Sequence, residues 1–299
     1  MIMGLEEEEY FAQGHRACAG CGAAIILRHA LKAAGPKTIV VSATGCMEVV
    51  SSPYPETAWR VPWIHVAFEN AAAVASGIDA ALRRIGKRDE VNILVIGGDG
   101  GTFDIGLQAL SGAAERGHKF TYLCYDNEAY MNTGIQRSGA TPKFASTTTS
   151  PHGSKIHGKM QNPKDMPFIM ASHGCYVATA NLSEFIDFRN KLKKSFTKDG
   201  VSYIQVLSPC PPGWKTATNQ AVEISKLAFS SGVTPLYEIE DGVLKITKEP
   251  VVKTSVLEYL KRQGRFSKLN DEEIAAIQSN IDEYNKRIKS LSESGLRIF

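Results

Sequence analysis

The chain has 299 residues, of which 43% are hydrophobic and 22% are charged, a composition that is ordinary for a globular protein with a sizeable core. Its net charge of +3 is too small to indicate nucleic-acid binding, so no nucleic-acid partner is expected. No apolar run approaches the ~20 residues that a membrane-spanning helix needs. The acidic start MIMGLEEEEYFAQ lacks the basic and apolar regions of a signal peptide. These features predict a cytoplasmic protein without membrane contact.

Three cysteines stand near the start of the chain. Cys18 and Cys21 form a Cys-x-x-Cys pair on a glycine-rich loop ahead of a helix predicted over 23–34, and Cys46 follows a strand predicted over 38–41. In a reducing compartment disulfides are not expected, so grouped thiols favour a metal ion or a cluster. The pair could also be a redox dithiol or half of a zinc site. A redox dithiol normally follows a strand, and no strand is predicted before Cys18.

A segment rich in proline and aromatic residues, 51–68, leads to a short strand that carries His65. Its length indicates more than a simple connection, so His65 is a candidate for an active site. A packed, hydrogen-bonded histidine on a strand is the alternative interpretation. The helix predicted over 70–85 is rich in alanine, which suits close packing against another helix or another subunit.

The most informative stretch, 91–133, is predicted as a strand, a glycine turn, a helix and a second strand. An apolar run over 91–96 is followed by four glycines around Asp99 and by a helical pattern of apolar residues. The second strand covers 120–125 and leads to Asn127. In an open α/β sheet, ligands bind outside the carboxyl ends of the strands. Asp99 and Asn127 are therefore expected to meet at one ligand site.

The residue types at this site fit a magnesium ion and a diphosphate. Asp99 offers a carboxylate and Asn127 an amide oxygen, which are hard ligands suited to Mg²⁺. Glycine lets the backbone approach a ligand closely, and the predicted helix start near Thr102 directs free N–H groups to the same place. A Walker-type phosphate loop is excluded because no lysine follows the glycines, and the dinucleotide fingerprint G-x-G-x-x-G is missing.

The chain from 134 to 167 is predicted as a basic loop rich in Ser, Thr, Gly and Pro, and a loop of this length is functional or disordered. Contact with an anionic cofactor or a partner subunit is the functional interpretation, and a solvated excursion is the alternative. The remaining elements complete the parallel sheet, with helices predicted over 166–172, 182–196 and 220–230 and strands over 176–180 and 201–207.

A fourth loop cysteine, Cys210, follows the last of these strands in the sequence SPCPPGW. The flanking prolines are expected to fix a loop and exclude helix. Cys124 lies inside a predicted strand and Cys175 precedes one, so both are interpreted as small buried apolar residues. Four cysteines in loops and two in regular structure indicate a four-thiolate site. A zinc ion and an iron–sulfur cluster are alternative occupants.

Together these elements predict an α/β fold with a doubly wound, mostly parallel sheet and a C-terminal helical tail. The character of the sequence changes after Gly232, where a small hairpin is predicted over 237–246. A charged helix follows over 271–292, with one isoleucine stripe that packs on a partner or on its own domain. We therefore expect a ligand-binding α/β domain over 1–232 and a hairpin and helical extension over 233–299.

Gly98-Asp99-Gly100 is followed by Asn127, 28 residues after Asp99 (127 − 99 = 28), and this spacing resembles the thiamine diphosphate motif, which starts with GDG and closes on Asn after a strand. The segments GDGGTFDIG and YDNEAYMNTGIQRSGATP are similar, more narrowly, to β subunits of pyruvate:ferredoxin oxidoreductases. So are the cysteine segments HRACAGCG, ATGC and SPCPPGW. The resemblance covers nearly the whole chain and implies a sheet of the thiamine diphosphate-binding, pyrophosphate-domain type.

The resemblance implies roles for individual residues. The cofactor would be bound by Gly98, Asp99, Gly100, Gly101, Asn127, Met131, Asn132 and Thr133. Magnesium would be held by Asp99, Asn127 and the Ala129 carbonyl, and a [4Fe–4S] cluster by Cys18, Cys21, Cys46 and Cys210. Asn132 and His65 would be the catalytic candidates. Many family members carry Glu after C-x-x-C-G, where this chain has Ala23, so a role for that carboxylate does not transfer to this chain.

The implied reaction is the reversible, thiamine-dependent oxidative decarboxylation of pyruvate with coenzyme A and ferredoxin, in cytoplasmic anaerobic metabolism. The chain would be the β subunit of a hetero-oligomer, with an α subunit that completes the thiamine site and smaller subunits that carry further clusters. Relatives that act on 2-oxoisovalerate, 2-oxoglutarate or oxalate share the core motifs. Two other classes compete. The first is a non-redox thiamine decarboxylase or synthase subunit, which would not explain the four cysteines. The second is a non-catalytic module in which a zinc ion bound by the cysteines would hold the loops together.

Overall fold

The computed structural model describes residues 7–299, in which one eight-stranded sheet runs between two layers of helices. Residues 1–6, on which the prediction of no signal peptide partly rests, lie outside the described residues. Across the sheet the strand order is β2-β1-β3-β4-β6-β5-β7-β8. The strands are β1 (Thr38–Ala43), β2 (Trp63–Val66), β3 (Asn92–Gly98), β4 (Phe120–Asp126), β5 (Tyr176–Asn181), β6 (Val201–Leu207), β7 (Leu236–Glu240) and β8 (Val243–Lys248).

The first six strands of the sheet, in the order β2-β1-β3-β4-β6-β5, are parallel to one another. The hairpin of β7 and β8 adds antiparallel pairings at the β5 edge. The predicted doubly wound, mostly parallel sheet is confirmed. All seven residues of β4 are buried. Parallel strands of this kind are apolar along their length because helices cover both of their faces.

Helices α1 and α6 pack together on one face of the sheet, and α3 and α4 pack together on the other. None of the helices within residues 7–299 is both long and apolar enough to cross a membrane. The α-helices are α1 (Gly22–Ala34), α2 (Cys46–Ser51), α3 (Ala71–Arg84), α4 (Leu107–Glu115), α5 (Met166–Ala171), α6 (Phe185–Phe196), α7 (Pro211–Trp214), α8 (Ala221–Ser230), α9 (Val256–Lys261) and α10 (Asp271–Ser294).

Two short helices stand where the sequence predicts only loops around cysteines. Cys46 is the first residue of α2, and α7 begins directly after Cys210. The expectation that the prolines beside Cys210 exclude helix is wrong. Pro211 and Pro212 occupy the first two positions of α7, where no intrahelical N–H bond is needed and the fixed φ of proline suits the helix.

The C-terminal helix α10 packs on its own chain. Its residue Ile288 is buried in the core on the α3–α4 side of the sheet. Ile274, Ile277 and Ile281 pack against a separate apolar cluster that contains Trp214 and residues of α8 and α9. The predicted hairpin is present as β7 and β8, and β7 pairs with β5 within the main sheet. The domain boundary near residue 232 stays a prediction.

Candidate functional site

The carboxyl ends of four adjacent strands form one edge that gathers the predicted ligands. β1 leads to Cys46, β3 to Asp99, β4 to Asn127 and β6 to Cys210. The four strands lie side by side in the order β1-β3-β4-β6. Side chains that follow parallel strands meet at the same edge of a sheet, and we call this region the ligand edge.

Oxygen-bearing groups converge where β3 and β4 end. One terminal atom of the Asn127 amide lies 2.9 Å from both Asp99 Oδ1 and the Ala129 carbonyl oxygen. With nitrogen in that place the amide donates two hydrogen bonds, and with oxygen there it completes a set of three oxygens. Glu128 has a φ of +66°, and this left-handed conformation turns the chain so that its two neighbours face the same point.

The Asp99 carboxylate is fully buried, and burial raises its pKa to about 7. The Ser138 hydroxyl donates to Asp99 Oδ2 at 2.5 Å and favours the ionised form. The nearby acidic groups act in the opposite direction, since Glu128 raises the pKa of Asp99 and Asp99 raises that of buried Asp126. A bound cation is the usual way to stabilise a buried carboxylate in such surroundings.

A buried ion pair supports the turn over 127–129. Arg265 contacts the Glu128 carboxylate, and their side chains are only 3% and 9% exposed. The Arg265 guanidinium lies 4.0 Å from the centroid of the Trp214 ring, and Trp214 Nε1 donates to the Asn127 carbonyl at 2.8 Å. The turn that carries two of the converging oxygens is therefore held by the ion pair and by the indole.

Replacement of Arg265 by methionine is expected to lower the free energy of unfolding by about 3–5 kcal/mol, because the Glu128 carboxylate would stay buried without its partner. Urea denaturation followed by tryptophan fluorescence measures this loss. The double variant Arg265→Met, Glu128→Gln is expected to recover part of the stability, since it buries no unpaired charge. A single variant as stable as the wild type would contradict the argument from the buried charge.

The glycine turn after β3 is required by the packing of the protein itself. A methyl group added at Gly100 would lie 2.7 Å from the Tyr130 ring, and one at Gly98 would lie 3.2 Å from the Tyr125 ring. After Asp99 the chain forms a π-helical turn, Gly100–Ile105, and then continues as α4. The sequence predicts a regular helix start near Thr102 instead. π-helical turns are found frequently at functional sites.

The four predicted ligand cysteines form a second group on the ligand edge. The Gly22 N–H donates to the Pro209 carbonyl at 3.1 Å, which docks the Cys18–Cys21 loop onto the segment before Cys210. Burial, with smaller contributions from the charges of the other three thiols, raises the pKa of Cys46 to about 12. The other three thiols thus lie near Cys46, and their role as ligands of one group stays a prediction.

The spacing of the thiols is wider than a single metal ion needs. No three cysteine sulfurs within residues 7–299 lie within 4.8 Å of one another, and all six cysteines are free. Cys124 and Cys175 are buried, as the sequence predicts. The first pair is held in a tight loop, because a methyl group at Gly20 would lie 1.7 Å from the Thr218 carbonyl oxygen.

Three further predicted residues follow the turn over 127–129. Met131 lies beside the thiols, since a methyl group at Gly213 would be 2.2 Å from Met131 Sδ and 3.4 Å from Cys210 Sγ. Asn132 and Thr133 are exposed. The Thr133 hydroxyl donates to Gln136 Oε1 at 2.6 Å. The structure therefore brings Met131 to the ligand edge and leaves the next two side chains facing outwards.

His65 lies on the edge strand β2, which is separated from β3 by β1. Its Nε2 is 2.6 Å from Thr44 Oγ1, and its side chain is 42% exposed. The alternative interpretation expects a histidine that is both hydrogen-bonded and packed. The hydrogen bond is present, but the side chain is half-exposed and does not lie in the core. The structure shows no contact between His65 and the oxygens around Asp99 among the described residues.

Comparison with known proteins identifies the family. The family model described as thiamine pyrophosphate enzyme, C-terminal TPP binding domain, matches residues 43–206. Pyruvate synthase subunit PorB of Methanocaldococcus jannaschii is 56% identical over 95% of this chain and 97% of its own length. The chain belongs to the PorB family. The ketoisovalerate oxidoreductase subunit VorB of Pyrococcus furiosus is also similar, with 45% identity over 96% of this chain and 94% of its own length.

A solved structure shares the fold of this PorB family member. The 2-oxoglutarate:ferredoxin oxidoreductase from Magnetococcus marinus superposes with a TM-score of 0.61 and 22% sequence identity. The match covers 92% of this chain and 97% of the other. At this level of identity the similarity concerns the fold, and it agrees with the mostly parallel sheet and its flanking helices.

The sequence motifs of the PorB family do not point to every residue of the ligand edge. Ser138 lies inside the family-like segment YDNEAYMNTGIQRSGATP, but nothing in that segment indicates its hydrogen bond to Asp99, which stands 39 positions earlier. Arg265 stands 137 positions after its partner Glu128 in a segment without a recognisable motif. Glu128 lies between two predicted ligands, Asn127 and Ala129, and this position is the signal by which the sequence could have indicated its place at the ligand edge.

Proposed function

We propose that this chain is the thiamine diphosphate-binding β subunit of a complex that oxidatively decarboxylates pyruvate. In the reversible reaction, pyruvate, coenzyme A and oxidised ferredoxin give acetyl-CoA, CO₂ and reduced ferredoxin. The observation that carries the proposal is the convergence of Asp99, Asn127 and Ala129 oxygens beside four thiols on one edge of the sheet. Membership of the PorB family supports the same activity.

The separation of the three oxygens supports a magnesium ion held by Asp99, Asn127 and the Ala129 carbonyl. Octahedral Mg²⁺ with bonds of about 2.05 Å places neighbouring oxygens roughly 2.9 Å apart. The Asn127 amide atom lies 2.9 Å from both of the other oxygens. Since Asp99 is buried and its pKa is raised to about 7 by that burial, a divalent cation would remove the cost of its charge. We infer that the ion in turn holds the diphosphate.

The proximity of the other three thiols to Cys46 supports a [4Fe–4S] cluster on Cys18, Cys21, Cys46 and Cys210. Four sulfurs around one tetrahedral zinc ion lie about 3.8 Å apart, yet no three cysteine sulfurs within residues 7–299 lie within 4.8 Å of one another. A cluster of four irons spreads its ligands over a larger volume. A cluster would also give the four cysteines a role in electron transfer, which a non-redox thiamine enzyme does not need.

When bound, thiamine diphosphate supplies carbanion chemistry and the cluster supplies one-electron transfer. The chain itself would position both groups on one rigid edge. Asp99 and Asn127 would orient the diphosphate through the metal. The glycines of the turn after β3 let the rings of Tyr125 and Tyr130 pack against the backbone of that turn. Met131 packs over Gly213 beside Cys210, so we assign to its thioether the exclusion of water from the thiols. We also propose that Asn132 and Thr133 contact the cofactor, and we keep His65 as a catalytic candidate.

The exposure of the turn after Met131 supports a partner chain. Asn132, Thr133 and Gly134 are exposed although they follow directly on the ligand edge. We propose that an α subunit covers this turn and completes the thiamine site, and that smaller cluster-bearing subunits pass electrons to ferredoxin. We place the complex in a reducing, cytoplasmic compartment, where thiols that would hold a cluster stay reduced.

A second substrate is favoured by one comparison. The VorB relative, a ketoisovalerate oxidoreductase subunit, is 45% identical over nearly the whole chain. The same ligand edge would serve 2-oxoisovalerate, because the chemistry at the 2-oxo carbon does not depend on the side chain of the acid. PorB relatives are more similar, so pyruvate is the proposed substrate.

Addition of pyruvate to the anaerobically purified complex is expected to reduce an iron–sulfur cluster, and coenzyme A is expected to increase the extent of reduction. EPR spectra recorded before and after each addition measure this change. Parallel samples with 2-oxoisovalerate and 2-oxoglutarate are expected to respond more weakly. A stronger response to 2-oxoisovalerate would replace pyruvate as the substrate, and a complex without iron or without any response would refute the redox proposal.

A further inference from the structure

Outside the ligand edge, two histidines and one glutamate converge from distant parts of the chain. His152, His157 and Glu273 each offer a ligand atom, and these atoms all lie within 4.8 Å of one another. Within residues 7–299 no other set of three or more His, Cys, Asp or Glu side chains is so close. The group joins the long loop after β4 to the first turn of α10, and we call it the loop–helix triad.

The two histidines face each other across a narrow turn. His152 and His157 form an antiparallel β-bridge, and the Gly153 N–H donates to the Ile156 carbonyl at 2.7 Å. The centroids of the two imidazole rings are 4.6 Å apart. The backbone therefore holds both rings on the same side of the turn, next to α10.

The third member, Glu273, is fixed before any ligand binds. It stands at the third position of α10 and forms a capping box with Asn270. Its Oε2 accepts from the Asn270 N–H at 3.0 Å, and its Oε1 is hydrogen-bonded to His157 Nδ1. The side chain is only 9% exposed. The carboxylate thus has one orientation, set by the helix.

One ring nitrogen of the triad has no partner in the protein. His152 Nε2 is buried and lacks a hydrogen bond, although it lies 3.9 Å from Glu273 Oε2. The His152 side chain is 10% exposed. A buried polar atom without a hydrogen-bond partner is destabilising, because it has lost its contact with water and gained nothing in return. The hydrogen bond between His157 and Glu273 accounts for those two side chains but leaves His152 Nε2 without a partner.

We propose that the loop–helix triad binds a divalent first-row transition metal ion, best matched by Zn²⁺, that fastens the long loop to α10. Two imidazole nitrogens and one carboxylate oxygen are a common set of protein ligands for zinc, with the fourth position left to water. Imidazole ligands also select against Mg²⁺ and Ca²⁺, which prefer oxygen. The metal supplies the partner that His152 Nε2 lacks.

The fastened loop leads directly to the ligand edge. Lys159, two residues after His157, is buried and donates to the carbonyls of Gly139 at 3.2 Å and Thr141 at 2.5 Å. Ser138, next to Gly139, donates to Asp99. The metal would therefore stabilise the conformation of the long loop in which the Ser138 hydroxyl donates to Asp99. Its own ligands lie outside the proposed cofactor site.

The experiment measures zinc in the intact complex. The anaerobically purified complex is treated with dipicolinate, loaded with excess Zn²⁺ and desalted, and zinc and iron are counted by mass spectrometry. We expect one zinc per copy of this chain in the wild type. The variants His152→Gln and Glu273→Gln are expected to lose that zinc or to bind it at least tenfold more weakly. Glutamine at position 273 preserves the capping box, so the helix start stays intact.

The matched control is His173→Gln, which removes an exposed histidine hydrogen-bonded to Ser111 and is expected to keep the zinc. Trypsin gives a second measurement, because Lys155 is exposed in the turn between the two histidines. Zn²⁺ is expected to slow cleavage after Lys155 in the wild type and in the control, and not in His152→Gln. Equal zinc content in wild type and His152→Gln, or no zinc in the loaded wild type, would overturn the proposal.

Discussion

Replacement of Asp99 by asparagine is expected to lower kcat/KM for pyruvate oxidation by a factor on the order of 10³, together with the content of bound thiamine diphosphate. The amide keeps the shape of the side chain but removes the charge that would hold Mg²⁺. The cofactor-free protein is not expected to lose stability, because burial already raises the pKa of Asp99 to about 7. Steady-state assays, thiamine analysis and thermal denaturation of the cofactor-free protein measure the three quantities.

Asp126→Asn is the matched control for this variant. Asp126 is also a buried carboxylate beside Asn127, but its oxygens accept from the Glu128 N–H at 3.0 Å and from Gln205 Nε2 at 2.8 Å and are not among the three converging oxygens. We expect it to keep its cofactor and activity within about tenfold of the wild type. If Asp99→Asn kept its thiamine diphosphate, the magnesium assignment would be wrong. Equal losses in both variants would point to general damage of the sheet edge.

The central sheet could be predicted from the sequence because its strands are apolar runs that end in turn residues. The prediction over 201–207 coincides with β6, and that over 120–125 ends one residue before β4 does. The helices α2, α7 and α9 have only four to six residues each. In elements of that length the apolar periodicity by which helices are recognised is weak, and although the equally short α5 is predicted over 166–172, these three are missed.

The ligand edge was partly predictable for the same reason. Asp99, Asn127, Cys46 and Cys210 each follow a strand, so parallel pairing brings them to one edge. The supporting contacts depend on the path of the long loop and on the docking of α10. Glu273 meets His157 across 116 positions, and no local pattern records such a pairing. Sequence reasoning therefore named the candidate ligands, whose roles stay a prediction, and missed the residues that hold those side chains in place.

Replacement of Cys210 by serine is expected to remove about four iron atoms per copy of this chain and to lower pyruvate-dependent ferredoxin reduction by a factor on the order of 10³. A serine hydroxyl is a poor substitute for a thiolate in a cluster, and electrons from the thiamine site would lose their first acceptor. Iron and sulfide analysis of the anaerobic complex, with EPR after chemical reduction, measures the loss.

The content of bound thiamine diphosphate is expected to differ between Cys210→Ser and Asp99→Asn. Cys210 follows β6, whereas the converging oxygens follow β3 and β4, so the Cys210→Ser complex is expected to keep its cofactor and lose iron. Cys175→Ala is the control, because that thiol is 6% exposed in the apolar core and its loss should leave the iron content unchanged. If Cys210→Ser kept all its iron, every cluster of the complex would belong to other subunits. If it lost the cofactor as well, the cluster would be required to assemble the whole edge.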